Sequence, residues 1–168
     1  IAISGVQGDG TATARLTGYQ KCIEEAGGTF LADEIQYADA VADKAANSME
    51  AIMQNPPEGL AIIVCNNDDM ALGAINALVN AGYNLPGGEG CTVIPVFGVD
   101  ATEAAKELIA NKQMTGSIKQ DAEGMADAVA TITANLIAGK DKFEGLNENY
   151  EVVDGWTVNI PYSVYTGE

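Results

Sequence analysis

Residues 60–78 read LAIIVCNNDDMALGAINAL. An unbroken apolar run, LAIIVC, meets Asn66-Asn67-Asp68, and then Met70, Ala74, Ala77 and Leu78 recur at helical spacing. A continuous apolar run suits a strand covered on both faces. Asn67 or Asp68 offers the side-chain acceptor that opens a helix. The stretch predicts a buried strand, a polar turn and an amphipathic helix through about residue 81.

The same unit repeats on either side. IAISGV opens the chain, a Gly-rich turn follows, and Leu16, Tyr19, Cys22, Ile23 and Ala26 space a helix over 11–26 that Gly27-Gly28 end. TFLADEIQY predicts a second strand, and Val41, Ala45, Met49, Ile52 and Met53 mark a helix over 39–54, closed by Asn55-Pro56-Pro57. TVIPVFGV, a helix over 102–110, MTGSIK and a helix over 121–138 continue the order, with NLPGGEG as a loop. Pro95 within a strand predicts an edge or irregular position. Repeated βα units predict an α/β fold, a doubly wound parallel sheet flanked by helices. YEVV and WTVNIPY read as strands outside that rhythm.

Composition narrows the function. The 168 residues carry 24 acidic against 8 basic side chains, a formal net charge of −16. Nucleic acid and anionic membrane are bound chiefly through Lys and Arg, so neither is an expected partner. The chain has no histidine, which excludes a Ser-His-Asp triad and removes the commonest metal ligand. Cys22, Cys65 and Cys91 form neither a CxxC pair nor a zinc pattern. No metal, cofactor or catalytic residue is expected. The chain opens directly on a strand, without an initiating Met or a leader, as a fragment of a longer polypeptide would.

Polar side chains mark the candidate site. LAIIVC runs into Asn67, TVIPVFGV into Asp100 and MTGSIK into Gln120. Open α/β sheets hold ligands at the carboxyl ends of their strands, and amides and carboxylates there suit a hydroxyl-rich ligand. Arg15, the single arginine, starts a helix turn near the first strand, where its fork of donors suits sugar hydroxyls. Pairing with Asp9 or Glu24 is the bland alternative for Arg15, and helix capping for Asn67, Asp68 and Asp100. Gly8 and Gly10 begin a GxGxxG with Asp33 or Glu34 about twenty residues on, but Thr13 stands where the third glycine belongs.

AIIVCNNDDMALGAINAL, VIPVFGVDATEAAKELI and MTGSIKQDAEGMADAV resemble the type I periplasmic sugar-binding proteins, the galactose/glucose- and ribose-binding branches above all. GVQGDGTATARLTGY and VNIPYSVYT fit the same pattern. The resemblance implies two doubly wound lobes joined by hinge strands, with this chain as the C-terminal lobe. Residues 1–120 with 151–168 would form that lobe, and 121–150 a crossover whose helix belongs to an absent first lobe. It implies sugar contacts from Arg15, Asn67, Asp100 and Gln120, with Asp9 and Thr11 as further polar contacts and Tyr37 as the available stacking aromatic. The glucose/galactose branch has an asparagine where Gln120 stands, so the choice of sugar stays open.

The function this implies is an extracytoplasmic receptor, periplasmic or a lipoprotein, that delivers a monosaccharide to the permease of an ABC transporter. It is not an enzyme and needs no cofactor. Alternatives are the effector-binding core of a lac-repressor-type transcription factor and, further off, a nicotinamide-dependent oxidoreductase. Met125, Val129, Ile132 and Leu136 form an apolar stripe on the 121–138 helix; with the first lobe absent, the fragment is expected to self-associate through it.

Overall fold

In chain order the elements are β1 (Ala2–Ser4), α1 (Gly10–Glu25), β2 (Gln36–Tyr37), α2 (Ala42–Gln54), β3 (Ile63–Cys65), α3 (Asp68–Asn80), β4 (Val96–Val99) and α4 (Glu103–Ala110). They continue with β5 (Gly116–Lys119), α5 (Ala122–Ala138), β6 (Glu151–Val153), β7 (Thr157–Asn159) and β8 (Ser163–Tyr165). This is a computed structural model, and it describes residues 1–167. The chain divides into two units, Ile1–Ile118 with the residues from Val164 on, and Lys119–Ser163.

The first unit is the predicted α/β layer structure. Its strands lie in the order β2-β1-β3-β4-β5, each pairing parallel, with β8 beyond β5. Alternate strand residues face opposite sides. Ile3, Ile63 and Cys65 pack with Met49, Met70, Ile75 and Leu78, under α2 and α3. Ala2 and Val64 pack on the other side with Leu16, Tyr19 and Ile23 of α1. Burial on both faces is why these strands read as continuous apolar runs.

α3 lies very close to α2. A Cβ on Gly73 would stand 2.1 Å from the carbonyl oxygen of Ala42, so only glycine admits this approach.

Several sequence expectations change. TFLADEIQY is mostly not a strand: Ala32–Glu34 form a 3-10 turn, and only Gln36 and Tyr37 pair, with Ile3 and Ser4. The second helix starts at Ala42 rather than 39, because Asp39 and Ala40 have φ of 51° and 61°. Asp39 instead pairs with Lys44 at 2.5 Å. Pro95 is neither at an edge nor inside a strand. It immediately precedes the central β4, and its carbonyl accepts from the Ile63 amide at 2.9 Å. Cys22 and Ala26, placed on the apolar side of α1, are exposed, whereas Cys65 is fully buried.

The second unit holds α5 and an antiparallel hairpin of β6 and β7, the source of the strand-like reading of 150–162. Asp154 and Gly155, both at positive φ, form its turn, closed by the Trp156 amide on the Val153 carbonyl. Asp121 caps α5 through the Gly124 amide at 3.0 Å. Along α5, Met125, Val129 and Leu136 of the apolar stripe are exposed, Ile137 is 83% exposed, and Ile132 is half-buried.

Candidate functional site

β1 and β3 are neighbours, yet the chain leaves them toward opposite edges of the sheet. Such a switch point opens a crevice beyond the strand ends, because the two following loops diverge. A cavity of about 160 Å³ lies there, lined by Asp9, Thr11, Arg15, Asn66 and Asn67 and floored by Ala40 and Met70. Four of the seven sequence-derived site residues, Asp9, Thr11, Arg15 and Asn67, therefore line one concavity. Larger hollows exist, among them one of about 390 Å³ lined by Asp121, Met125, Val158, Asn159, Ile160 and Tyr162 within the second unit. The smaller one holds the polar convergence.

Each polar group has a local reason for its place. Asp9 caps α1, accepting from the Ala12 amide at 2.8 Å. Asn67 caps α3 through the Met70 amide at 3.0 Å, and its amide nitrogen reaches the Ala40 carbonyl at 3.5 Å. Capping and cavity lining are thus the same act for these two residues. Arg15 pairs with neither Asp9 nor Glu24. Its guanidinium donates to the Asn66 carbonyl at 2.5 Å, where β3 ends. Tyr19, one turn on, donates to the Cys65 carbonyl at 3.0 Å, and burial pushes its phenol up to about 12. Both bonds fasten α1 to the end of β3. Asn66, 3% exposed, donates to Ser4 Oγ and the Ala12 carbonyl, and its Oδ1 is buried without a partner.

Asp100 directly follows β4 but does not cap α4; Thr102 does, accepting from the Ala105 amide at 3.2 Å. Tyr37 sits on the edge strand β2, opposite Ser4 at the end of β1, and is 41% exposed. It does not line the cavity. Gln120 is the residue after β5 and belongs to the second unit.

Sequence reading gave Asp68 a capping role, and the structure gives it another. Asp68 is 2% exposed. Its Oδ1 accepts from Ser117 Oγ at 2.6 Å and its Oδ2 from the Thr102 amide at 2.8 Å. Burial raises its carboxyl above the ordinary value of 3.8, opposed by those two hydrogen bonds and reinforced by the charge of Asp100. Gly98 makes room, since a Cβ there would lie 2.3 Å from Asp68 Oδ1. The partners Ser117 and Gly98 are distant in sequence, and no local pattern announces them.

A parallel α/β sheet with amides, a guanidinium and a carboxylate gathered at strand ends has the arrangement in which open α/β sheets hold ligands. Residues 1–141 match the family described as the periplasmic binding protein domain, and the chain belongs to that family. Over 103 residues it is 36% identical to the D-galactose/methyl-galactoside binding periplasmic protein MglB of Haemophilus influenzae, covering 61% of this chain and 28% of that one. A solute-binding protein of Bacillus halodurans with bound myo-inositol superimposes with a TM-score of 0.75 at 27% identity, covering 99% of this chain and 50% of its own. One from Actinobacillus succinogenes with bound D-allose gives 0.77 at 22% identity, over 99% and 52%. The fold is also that of the Escherichia coli transcriptional repressor ascG, at 0.65 and 22% identity, over 83% and 48%. The chain spans under a third of the curated relative and about half of each of these structures.

Proposed function

We propose that this chain is the C-terminal lobe of an extracytoplasmic receptor that binds a monosaccharide and delivers it to the permease of an ABC transporter. The cluster of Asp9, Thr11, Arg15 and Asn67 at the β1/β3 switch point carries the reading. Asp100 and Gln120, each following a strand of the same sheet, complete the proposed sugar contacts, and Tyr37 is the aromatic offered for stacking. Membership of the periplasmic binding protein family and the likeness to sugar- and inositol-bound proteins support it. In this reading 1–120 with 151–168 form the lobe, and 121–150 cross to a first lobe.

The test is calorimetry on the intact protein with D-galactose, D-glucose, D-allose, D-ribose and myo-inositol. At least one should bind. Asp100→Gly is the cleanest variant, because glycine accepts the φ of 119° found there. It should cost at least about tenfold in affinity, the value of a charge-assisted hydrogen bond, while leaving Tm unchanged or raised. Silence across the panel, or full affinity in Asp100→Gly, sinks the reading.

The repressor alternative shares the fold, and the charge of −16 weighs against contact between this chain and DNA. A mobility shift with random duplex DNA at low salt separates the two. The nicotinamide reading predicts a change in NADH fluorescence on mixing, which the receptor reading does not.

A further inference from the structure

Asp100 and Ala101 are consecutive non-glycine residues with φ of 119° and 52°. Each costs of order 1–3 kcal/mol and persists only where the surroundings over-determine it. Here they do, since all three amides of the turn are bonded in succession. Asp100 N–H donates to the Ile118 carbonyl at 2.8 Å, Ala101 N–H to Ser117 Oγ at 3.0 Å, and Thr102 N–H to Asp68 Oδ2 at 2.8 Å. Ser117 Oγ in turn donates to Asp68 Oδ1 at 2.6 Å. The hydroxyl accepts from the turn and donates to the carboxylate, so its hydrogen-bonding capacity is directed by both neighbours.

We propose that Asp68 and Ser117 are positioning residues, a buried clamp that holds the turn carrying Asp100 in its left-handed conformation. Asp68 also follows Asn67, the cap of α3, so one carboxylate ties the Asn67 corner to the Asp100 turn 33 residues away in sequence. Gly98 is part of the device, because any larger residue would occupy the carboxylate's place. The consequence for ligand affinity rests on the reading of Asp100 as a sugar contact. The clamp itself does not.

Two measurements on the intact protein test it. The first needs no ligand: amide hydrogen exchange in wild type, Ser117→Ala, Ser117→Thr and Asp68→Asn. Ser117→Ala should speed exchange at Ala101 at least about tenfold, the value of a lost buried hydrogen bond, while β1 and β3 amides keep their protection. Ser117→Thr, which retains the hydroxyl, should restore it. Asp68→Asn should act mainly at Thr102. Unchanged exchange at Ala101 and Thr102, or equal loosening across the whole sheet, overturns the clamp.

The second is a double-mutant cycle in affinity for D-galactose, D-allose and D-ribose, combining Ser117→Ala with Asp100→Gly. A positioning role predicts that Ser117→Ala weakens binding about tenfold alone and less than about twofold in Asp100→Gly. Losses that multiply show Ser117 acting independently of Asp100, and overturn the positioning role. Full affinity in Asp100→Gly alone refutes the sugar-contact reading instead, and the exchange data then still decide the clamp.

Discussion

Asp68 shows what a single side chain does when its surroundings are dry. Its carboxylate is hydrogen-bonded twice, yet burial outweighs those bonds and raises its pKa. A folded-state pKa raised above the unfolded one means that the folded protein binds the proton more tightly. The associated stabilisation is therefore complete below the ordinary value of 3.8 and is lost as pH rises through the folded value. Asp68→Asn removes the titration. Thermal unfolding of both proteins between about pH 3 and pH 7 should show the Tm difference moving in favour of the Asn variant as pH rises. A constant difference would mean that Asp68 does not titrate in that range. The sequence NNDD showed a polar corner here, and capping chemistry offered Asn67 or Asp68 as the cap; the structure chose Asn67. Capping chemistry did not separate Asp68 from Asp69, one buried and one exposed, because the hydrogen bonds that make burial of that carboxylate tolerable come from Ser117 and Thr102, both distant in sequence.

At the scale of elements, helices were legible wherever an apolar face met a partner. α3 carries Met70, Ala74, Ala77 and Leu78 inward as its spacing predicts. α1 is looser, with Cys22 and Ala26 in solvent, while Leu16, Tyr19 and Ile23 of its apolar side pack against the sheet. Two helical glycines make a controlled comparison. Gly18 of α1 has open space around its missing Cβ, whereas at Gly73 a Cβ would collide with the α2 backbone. Gly18→Ala should stabilise by about 0.5–1 kcal/mol, the helical entropy cost of glycine. Gly73→Ala should destabilise by about 3 kcal/mol, because whole helices must part to admit it. Urea denaturation of the two variants measures both, and equal effects would show that α2 and α3 are not packed as described.

For the whole molecule, the uncovered surface sets the expectation. Met125, Val129, Leu136 and Ile137 expose an apolar face along α5. A face of that kind is covered by another part of a longer protein or by a second copy. The 168-residue chain by itself should therefore self-associate, and Val129→Lys with Leu136→Lys should return it to monomer in sedimentation velocity. A chain that is monomeric without these changes would refute the assignment of α5 to an absent lobe. The proposed sugar binding belongs to this scale as well. If this chain supplies only part of the contacts, short by about 4 kcal/mol, it should bind about a thousandfold more weakly than the intact protein. Calorimetry of both forms with the same sugar tests it, and equal affinities would place the whole site on this chain.

Alternation of apolar runs with helical periodicity determined the α/β layers, the identity of most core residues and the polar corners at the strand ends. Those properties are local: a run of apolar residues and a capping acceptor are legible within a few positions of one another. What only the tertiary structure decided was which corners meet. The strand order placed β1 beside β3, and so brought Asp9, Thr11, Arg15 and Asn67 to one cavity while leaving Tyr37 at its edge strand. It also decided that Asp68 is a link and not a cap, that Asp100 stands in a strained turn, and that Gly98 and Gly73 are contact points. Each depends on an atom more than fifteen residues away in sequence, and a hydrogen bond or a close approach across that distance leaves no periodic trace in the chain.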